Sequence, residues 1–551
     1  MSRIFLSLGI KRFTSLSVGV LSLILTPISV AAAERIYFSV NTLRLSLGIE
    51  ALELFAADGT INKELEFYLQ GISDEDRARF RTALLRAYQI NPVQLSRFFR
   101  TPTGEAILKN IGELIQIQGG QNGQYAIRGA LIQAASEPEG LTILGFLQKF
   151  PTNIQLDTNK ILLAVRWIEN LVQANQIMVQ ELDKLSEKEA LKEQILDYST
   201  LPDIRKPGQW GYQQQRLTLQ DPRRQREFYV DLYYPQHWPE TKIPIVIFSH
   251  GLASRPDDYD SLAKHLASYG YLVALPQHPG SDFSQVQAML QGYSSDLFKL
   301  SEFIDRPKDI SFVLDELERL NQSLFGGRLN LERVGAIGHS FGGYAVFALA
   351  GGQIDFESLQ RECDRTIWSP NLSLLIQCRA LDLPRQVYEL RDPRIKAVVA
   401  VNPFNSGIFG AKGLSQISIP VFIIAGSQDP AAPLVLEQGQ AFIWLMTPQK
   451  YLGLVKGQAH INFSKLDAGT QSLIKSFIDL TIADQRLIDK YDNAMILSFF
   501  EIYLHDNLEY RSYLQSSYAD YISQKPFELY LINASSSADL ESIFKQFDLD
   551  F

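Results

Sequence analysis

A serine between closely spaced glycines is the feature that most constrains how this chain can fold. The pentapeptide Gly338-His-Ser-Phe-Gly342 follows the apolar run Arg333-Val-Gly-Ala-Ile337 and precedes the small, apolar run 343–350. The first run predicts a buried strand and the second a buried helix. Glycines are needed in such a turn because only hydrogen side chains let the neighbouring backbone segments approach so closely. The pattern predicts a strained turn that presents Ser340 as a nucleophile at a helix N-terminus, a coincidental or inactive turn being the alternative.

A serine nucleophile needs a base and an orienting acid, which follow it in the order Ser, Asp or Glu, His when the serine sits on such a turn. The candidate acid is Asp429, in the turn after the strand-like run 419–426, and the candidate base is His460, just past the strand-like run 451–455. Both positions follow a predicted parallel strand, where open α/β sheets place their sites. An ordinary turn aspartate is the alternative for Asp429. His505 lies downstream too, but its aromatic, helix-like surroundings favour a packing role.

The loop after the apolar run 243–248 predicts an oxyanion hole. Its sequence is Ser249-His-Gly-Leu252, and the His-Gly pair allows a turn that aims a backbone N–H at the tip of the nucleophile. The predicted donors are the backbone N–H groups of Leu252 and Phe341, groups whose loss typically costs about a hundred- to thousandfold in rate. His250 and His339 are interpreted as structural supports of the two turns.

The motifs resemble those of α/β-hydrolases in the group that includes plasma-type platelet-activating-factor acetylhydrolases and predicted dienelactone hydrolases. The resemblance covers the core from about residue 248 to 460, roughly half of the chain. It implies a serine esterase, with short-acyl, phospholipid-like esters and lipid degradation as the candidate substrate class and role. The matching segments are Ser249-His-Gly-Leu252, Leu266-Ala-Ser-Tyr-Gly-Tyr-Leu-Val-Ala274, Arg306-Pro-Lys-Asp309 and Gly338-His-Ser-Phe-Gly-Gly343.

Two positions depart from these relatives. Plasma-type acetylhydrolases carry the triad aspartate after the strand that follows the nucleophile helix, where this chain has Asn402. Because asparagine carries no negative charge to stabilise an imidazolium, the acid role is assigned to Asp429. Dienelactone hydrolases use a cysteine nucleophile, whereas this chain has Ser340, so their reaction is disfavoured.

Alternating strand-like and helix-like runs from about residue 215 onward predict an α/β-hydrolase fold, with a mostly parallel sheet and helices on both faces. The region before it resembles a helical domain of unknown function that precedes hydrolase domains in some bacterial exported proteins. Its expected role is a cap, a membrane or partner contact, or a stabilising accessory domain. The predicted divisions are a signal peptide at 1–33, a mainly helical accessory domain at 34–194, a linker at 195–211, the catalytic domain at 212–482 and a helical extension at 483–551.

The N-terminus predicts export to the periplasm or the cell exterior. Positive residues precede an apolar stretch, Pro27 breaks it, and Ala31-Ala-Ala33 offers a small-residue cleavage site. An uncleaved membrane anchor is the alternative. A formal net charge of −9 and the lack of a basic run exclude nucleic acid as an expected partner.

The two cysteines, Cys363 and Cys378, are expected to form a disulfide in an oxidising compartment, two unrelated buried thiols being the alternative. The Tyr- and Phe-rich C-terminal region favours helix packing over peripheral membrane contact. The overall prediction is a serine hydrolase that acts on a small-molecule or lipid ester and needs no cofactor. A thioesterase or amidase with the same triad and a catalytically idle envelope scaffold remain alternatives.

Overall fold

The chain folds into two compact units, one of residues 1–92 and 111–158 and one of residues 93–110 and 159–551. No helix in the described part of the chain is long and apolar enough to span a bilayer. The computed structural model describes residues 32–40, 43–365, 371–460 and 485–546. The predicted signal peptide, residues 1–33, falls almost entirely outside these ranges.

The first unit combines a four-stranded sheet with short helices, although its sequence predicts mainly helices. Strands β1 and β2 pair antiparallel, and the sheet order is β2-β1-β4-β3. Strands β3 and β4 have three residues each, too few to show an alternating pattern. The strands are β1 Arg35–Val40, β2 Leu43–Gly48, β3 Ile115–Ile117 and β4 Ile154–Leu156; the helices are α1 Ile49–Asp58, α2 Lys63–Leu69, α3 Asp74–Leu85, α6 Gln124–Ala135 and α7 Ile143–Lys149. Helices α4 Pro92–Phe98 and α5 Pro102–Leu114 cross the boundaries between the units.

The second unit is built on a nine-stranded sheet in the order β13-β12-β11-β10-β9-β7-β8-β6-β5. Neighbours from β8 to β12 pair in parallel, and β5, β6 and β13 add antiparallel strands at the two sides. The predicted mostly parallel sheet is confirmed. The strands are β5 Gln213–Asp221, β6 Arg226–Tyr234, β7 Ile243–Ser249, β8 Leu272–Pro276, β9 Leu329–His339, β10 Ile395–Val401, β11 Val421–Gly426, β12 Lys450–Val455 and β13 Leu529–Asn533.

Helices cover both faces of this sheet because successive strand residues point to opposite sides. Ile245 belongs to one hydrophobic core and its neighbour Val246 to the other. The helices α11 and α12 pack in the first core, and α9 and α17 pack in the second. The helices of the unit are α8 Thr158–Ala190, α9 Asp260–Ser268, α10 Phe283–Gln291, α11 Glu302–Phe325, α12 Phe341–Ala350, α13 Phe356–Arg365, α14 Leu374–Gln377, α15 Ser406–Leu414, α16 Gln440–Trp444, α17 Gln485–Leu504, α18 Ser516–Ile522 and α19 Ser537–Phe544.

Two features differ from the predicted boundaries. The C-terminal extension is not wholly helical, because β13 pairs antiparallel with β12 and completes the sheet beyond it. Helix α8 groups with the second unit, whereas the predicted accessory domain extends to residue 194. Contacts along α8 explain the grouping, since Ser186 Oγ accepts from Leu531 N–H at 3.2 Å and Glu189 accepts from the Asn533 side chain at 2.6 Å. Neither contact leaves a trace in the hydrophobic pattern.

Candidate active site

Ser340 occupies the sharp turn between β9 and α12. Its backbone has φ 54° and ψ −113°, a strained conformation for a residue with a side chain. The adjacent glycines are required by close backbone contacts. A Cβ on Gly338 would lie 2.0 Å from the carbonyl oxygen of Gly342, and a Cβ on Gly342 would lie 1.9 Å from that of Ser249. The turn therefore packs directly against the end of β7.

The structure brings Ser340, His460 and Asp429 into one hydrogen-bonded line. The Ser340 hydroxyl donates to His460 Nε2 at 2.9 Å, and His460 Nδ1–H donates to Asp429 Oδ2 at 2.7 Å. The three side chains come from the ends of β9, β12 and β11, which are parallel strands of one sheet. The aspartate is thereby connected to the serine through a single imidazole, the arrangement in which a histidine can accept and return a proton.

The loop after β11 fixes the Asp429 carboxylate. Its Oδ1 accepts from the backbone N–H groups of Ala431 and Ala432 at 2.9 and 2.8 Å, which leaves Oδ2 for His460. The side chain has no solvent exposure, whereas that of His460 is 16 % exposed. Backbone donors thus hold the carboxylate in place, while the imidazole is open to solvent on one side. Such an imidazole suits a base that must reach a substrate.

The predicted oxyanion donors lie beside this line. Phe341 is the first residue of α12, so its N–H is among those that a helix leaves without an intrahelical acceptor. Leu252 N–H likewise has no hydrogen-bond acceptor among the described residues. The loop that carries Leu252 approaches the nucleophile closely, since a Cβ on Gly251 would lie 3.6 Å from Ser340 Cβ.

His339 links the loop of the histidine to the loop of Leu252. Its Nε2–H donates to the carbonyl of His460 at 2.8 Å, and its Nδ1 accepts from the Tyr259 hydroxyl at 3.0 Å. The Tyr259 oxygen in turn accepts from Gly251 N–H at 3.4 Å. Burial lowers the pKa of His339 to about 3, so this ring stays neutral and keeps both contacts. The positions of these groups favour the structural role that the sequence predicts for His339.

His250 and His278 form a fully buried pair of histidines. His250 Nδ1–H donates to the carbonyl of Gly251 at 2.8 Å, and its Nε2 accepts from His278 N–H at 3.2 Å. His278 Nδ1–H donates to Asp309 at 2.9 Å, and its Nε2 accepts from the Ser249 hydroxyl at 3.0 Å. Burial lowers the pKa of both rings well below the usual value. Each neutral ring therefore donates from Nδ1 and accepts at Nε2.

Asn402 follows β10, at the position that raised the question of which residue is the acid. Its Oδ1 accepts from Gly426 N–H at 2.8 Å, and its Nδ2 donates to the carbonyl of His460 at 3.2 Å. Its φ of 42° is left-handed, a conformation that asparagine tolerates better than most residues. The side chain thus contacts backbone groups of both triad loops.

A disulfide joins Cys363 and Cys378, and a buried glutamate anchors the segment between the two cysteines. Glu437 has no exposure, and its Oε2 accepts from the backbone N–H groups of Asn405 and Ser406 at 2.7 and 2.8 Å. Its Oε1 accepts from four side chains at 2.6–2.8 Å, those of Asn371, Ser373, Gln377 and Ser406. One carboxylate therefore fastens the bridged segment to the loop after β10.

Of four large apolar residues near the site, three are buried in the core and one lies at the surface. Phe404, Ile408 and Phe409 are almost completely buried in the core, and the Phe404 ring packs 5.1 Å from that of Phe341. Phe283 remains at the surface beneath the Arg255 guanidinium. A cavity of about 930 Å³ lies on the Asp429 side of the triad, with apolar walls that include Leu171, Val172, Pro430 and Phe527.

His505 lies elsewhere, with its ring edge-on to Tyr271 at 4.9 Å. No group of three or more His, Cys, Asp or Glu side chains is arranged to hold a metal ion within the described ranges. The contacts of Tyr259, Arg306 and Glu437 were not predicted from the sequence. An Arg-Pro pair within an otherwise amphipathic run was the available signal for Arg306, which is completely buried in α11.

Two protein families match parts of this sequence. Residues 32–157 match a family described as an alpha/beta hydrolase of unknown function, DUF1400. Residues 232–361 match the chlorophyllase family, and this stretch contains Leu252, Ser340 and Phe341. No curated protein matches the chain. Together with the nine-stranded, mostly parallel sheet, the two matches show that the chain contains an α/β-hydrolase domain of chlorophyllase-like, esterase type.

Proposed function

We propose that this protein is a serine hydrolase that cleaves carboxylic esters by acyl transfer. The observation that carries the proposal is the line from Ser340 Oγ through His460 to Asp429, with distances of 2.9 and 2.7 Å. The match to an esterase-type family over the stretch that contains Ser340 supports the same reaction class.

The first half-reaction forms an acyl-enzyme. Ser340 Oγ attacks the ester carbonyl carbon while its proton passes to His460 Nε2. The carbonyl oxygen becomes an oxyanion, which accepts hydrogen bonds from the N–H groups of Leu252 and Phe341. The buried Asp429 carboxylate stabilises the imidazolium. Collapse of the tetrahedral intermediate breaks the ester C–O bond, and His460 returns its proton to the departing alkoxide, which leaves as an alcohol.

The second half-reaction hydrolyses the acyl-enzyme. His460 takes a proton from water, whose oxygen attacks the acyl carbon, and a second oxyanion forms between the same two N–H groups. Collapse releases the carboxylic acid, and the proton on His460 returns to Ser340 Oγ. Backbone donors of this kind typically contribute about a hundred- to thousandfold each, so the segments that hold Leu252 and Phe341 contribute to the rate together with the side chains.

The substrate we propose has an apolar group next to its ester bond. The cavity beside Asp429 offers apolar walls for such a group. Short-acyl, phospholipid-like esters are one candidate class, and chain length is decided by the assay below. We also propose export, because a disulfide persists in an oxidising compartment. N-terminal sequencing of the protein recovered from the periplasm or medium, with a start near residue 34, is the expected result, and an intact N-terminus argues for an anchor.

Fluorophosphonate labelling of the purified protein tests the reaction class. We expect labelling by the wild type, none by Ser340→Ala, and normal labelling by Ser323→Ala, which removes an exposed helical hydroxyl as a control. Turnover of p-nitrophenyl esters from acetate to palmitate, beside matched thioesters and anilides, then defines the leaving group. Faster cleavage of thioesters or anilides favours the thioesterase or amidase alternative. A folded wild type that neither labels nor cleaves any of them overturns the proposal in favour of a scaffold.

A further inference from the structure

A buried cation underlies the loop that carries Leu252. Arg306 lies in α11 with no solvent exposure. Its Nη1 donates to the carbonyl of His250, and its Nη2 reaches the carbonyl of Gly251 at 3.4 Å. The triad geometry does not require this residue, since none of its hydrogen bonds involves Ser340, His460 or Asp429.

The two carbonyls belong to consecutive peptide groups, and both groups are held from more than one side. The His250–Gly251 peptide has its carbonyl on Arg306 and its N–H on the Tyr259 hydroxyl. The carbonyl of the Gly251–Leu252 peptide accepts from His250 Nδ1–H at 2.8 Å and, at the longer distance, from Arg306. In a trans peptide the C=O and N–H groups point in opposite directions. Fixing the Gly251 carbonyl on the buried side therefore turns Leu252 N–H away from the cation, toward the open side of the loop.

The loop that carries Leu252 has a strained backbone, and contacts with residues outside the loop hold it in that conformation. Ala253 has φ 61°, which is costly for a residue with a Cβ. Its N–H donates to the carbonyl of Ser281 at 2.9 Å, while the Ser281 hydroxyl accepts from Arg306 Nε at 2.9 Å. The same arginine thus braces the residues on both sides of Leu252.

Arg306 also contacts the residue that carries the other predicted donor. Its guanidinium carbon lies 4.4 Å from the centre of the Phe341 ring, a cation–π distance. Glu302 lies 3.6 Å from the guanidinium, and its negative charge offsets the cost of burying the cation. A planar cation with several donors suits this double contact, which a lysine ammonium could not reproduce.

We propose that Arg306, together with His250, is a positioning residue that orients Leu252 N–H for stabilisation of the oxyanion. The proposal rests on the proposed function, because it assigns a role within that reaction. Donors on a carbonyl also polarise the N–H of the same peptide, which strengthens Leu252 as a donor.

A tetrahedral-adduct inhibitor isolates this role. A trifluoromethyl ketone forms a bond from its carbonyl carbon to Ser340 Oγ, its oxygen becomes an oxyanion, and the serine proton moves to His460. For Arg306→Lys we expect the inhibition constant to rise and kcat to fall about tenfold or more, with KM changed less than twofold. Arg226→Lys is the matched control, because Arg226 is a largely buried arginine that also pairs with Glu302 but does not contact the loop. Inhibition and kcat close to wild type for Arg306→Lys, or equal losses in both variants, overturn the proposal.

A second pair keeps the test decisive if Arg306→Lys does not fold. The amide of His250→Asn can replace the Nδ1–H donor, whereas His250→Ala cannot. We expect inhibitor affinity to be retained in the first variant and weakened several-fold in the second; equal affinities overturn the proposal. If the Arg306 and His250 variants bind the inhibitor as the wild type does, while the wild type still labels and turns over esters, only the positioning role is overturned and the proposed function stands. A wild type that neither labels nor binds the ketone overturns both.

Discussion

Asn402 Nδ2 donates to the backbone carbonyl of His460 at 3.2 Å, while its Oδ1 accepts from Gly426 N–H. The asparagine contacts the backbone of the histidine loop and not its ring, so it supports the triad without taking the place of the acid. An aspartate at position 402 would replace the Nδ2 donor with a negatively charged oxygen that faces the carbonyl of His460.

Asn402→Asp is therefore expected to lower the free energy of unfolding by about 1–3 kcal/mol and to reduce kcat, because an acceptor then faces an acceptor. Urea unfolding and ester turnover measure the two effects. Asn330→Asp is the control, since Asn330 Oδ1 only accepts from Glu332 N–H, which an aspartate also does. A double variant, Asn402→Asp with Asp429→Asn, should remain inactive. Recovery of activity in that double variant would mean that residue 402 can act as the acid.

Asp429→Asn is expected to lower kcat about ten-thousandfold with little change in stability, because an amide cannot stabilise the imidazolium or hold the required tautomer. Steady-state ester hydrolysis measures the effect. Asp355→Asn is the matched control, since Asp355 Oδ1 also accepts from two backbone N–H groups, those of Glu357 and Ser358, without a histidine partner. Comparable activity in the two variants would remove Asp429 from the mechanism.

His339 makes stability depend on pH in a defined direction. Its folded-state pKa of about 3 lies below the ordinary value near 6.5, so below pH 6.5 the unfolded chain binds a proton that the folded chain does not. Its contribution is complete above pH 6.5 and is lost as the pH falls toward 3. In His339→Gln this loss is absent. The stability difference between wild type and variant should therefore shift by roughly 3 kcal/mol in favour of the variant between pH 7 and pH 4.

Urea unfolding at several pH values measures this difference, with His237→Gln as a control for the loss of an exposed histidine. Parallel stability curves for wild type and His339→Gln across the window would contradict the assignment of a neutral, buried ring.

Glu437→Gln is expected to lower the free energy of unfolding by roughly 3 kcal/mol, because both carboxylate oxygens accept hydrogen bonds and the NH₂ group of the glutamine would face donors instead. Chemical denaturation measures the loss. Glu357→Gln, in the exposed first turn of α13, should change stability by less than about 0.5 kcal/mol. Equal effects in the two variants would show that Glu437 does not anchor the bridged segment.

Val172→Trp tests the cavity beside Asp429. Val172 lines it from α8, and an indole would fill part of its volume. We expect kcat/KM for long-chain esters to fall about tenfold while acetate turnover stays unchanged, since a uniform loss would not depend on chain length. Val165→Trp is the control, because Val165 is an exposed residue of the same helix that does not line the cavity. An unchanged chain-length profile would place the apolar group elsewhere.

The parts of the site that local sequence determines were accessible from sequence alone. The glycines around Ser340 are set by backbone contacts within one turn, and the strands before Asp429 and His460 are continuous apolar runs. The parallel sheet followed from the alternation of such runs with helical ones. These features depend on residues that are close together in the chain, so the local sequence pattern predicts them.

The supporting contacts depend on distant parts of the chain and leave no such record. Arg306 reaches the carbonyl of His250 across 56 positions of the chain, and Tyr259 reaches His339 across 80. Glu437 resembles a surface residue in sequence, yet it is buried with all its oxygens satisfied. Strand β13 has five residues between helical runs, so its pairing with β12 could not be expected from its own pattern.

The position of β13 has a consequence for synthesis. Strand β12 leads into the His460 loop, and residues 529–533 pair along its outer edge. Because translation proceeds from the N-terminus, a nascent chain that already contains all three triad residues still has this edge open until residues beyond 528 have left the ribosome. An open edge invites pairing with other chains and leaves the histidine loop without its neighbour. Hydrolytic activity should therefore require residues 529–533, and a variant truncated before them is expected to be inactive even though it contains Ser340, Asp429 and His460.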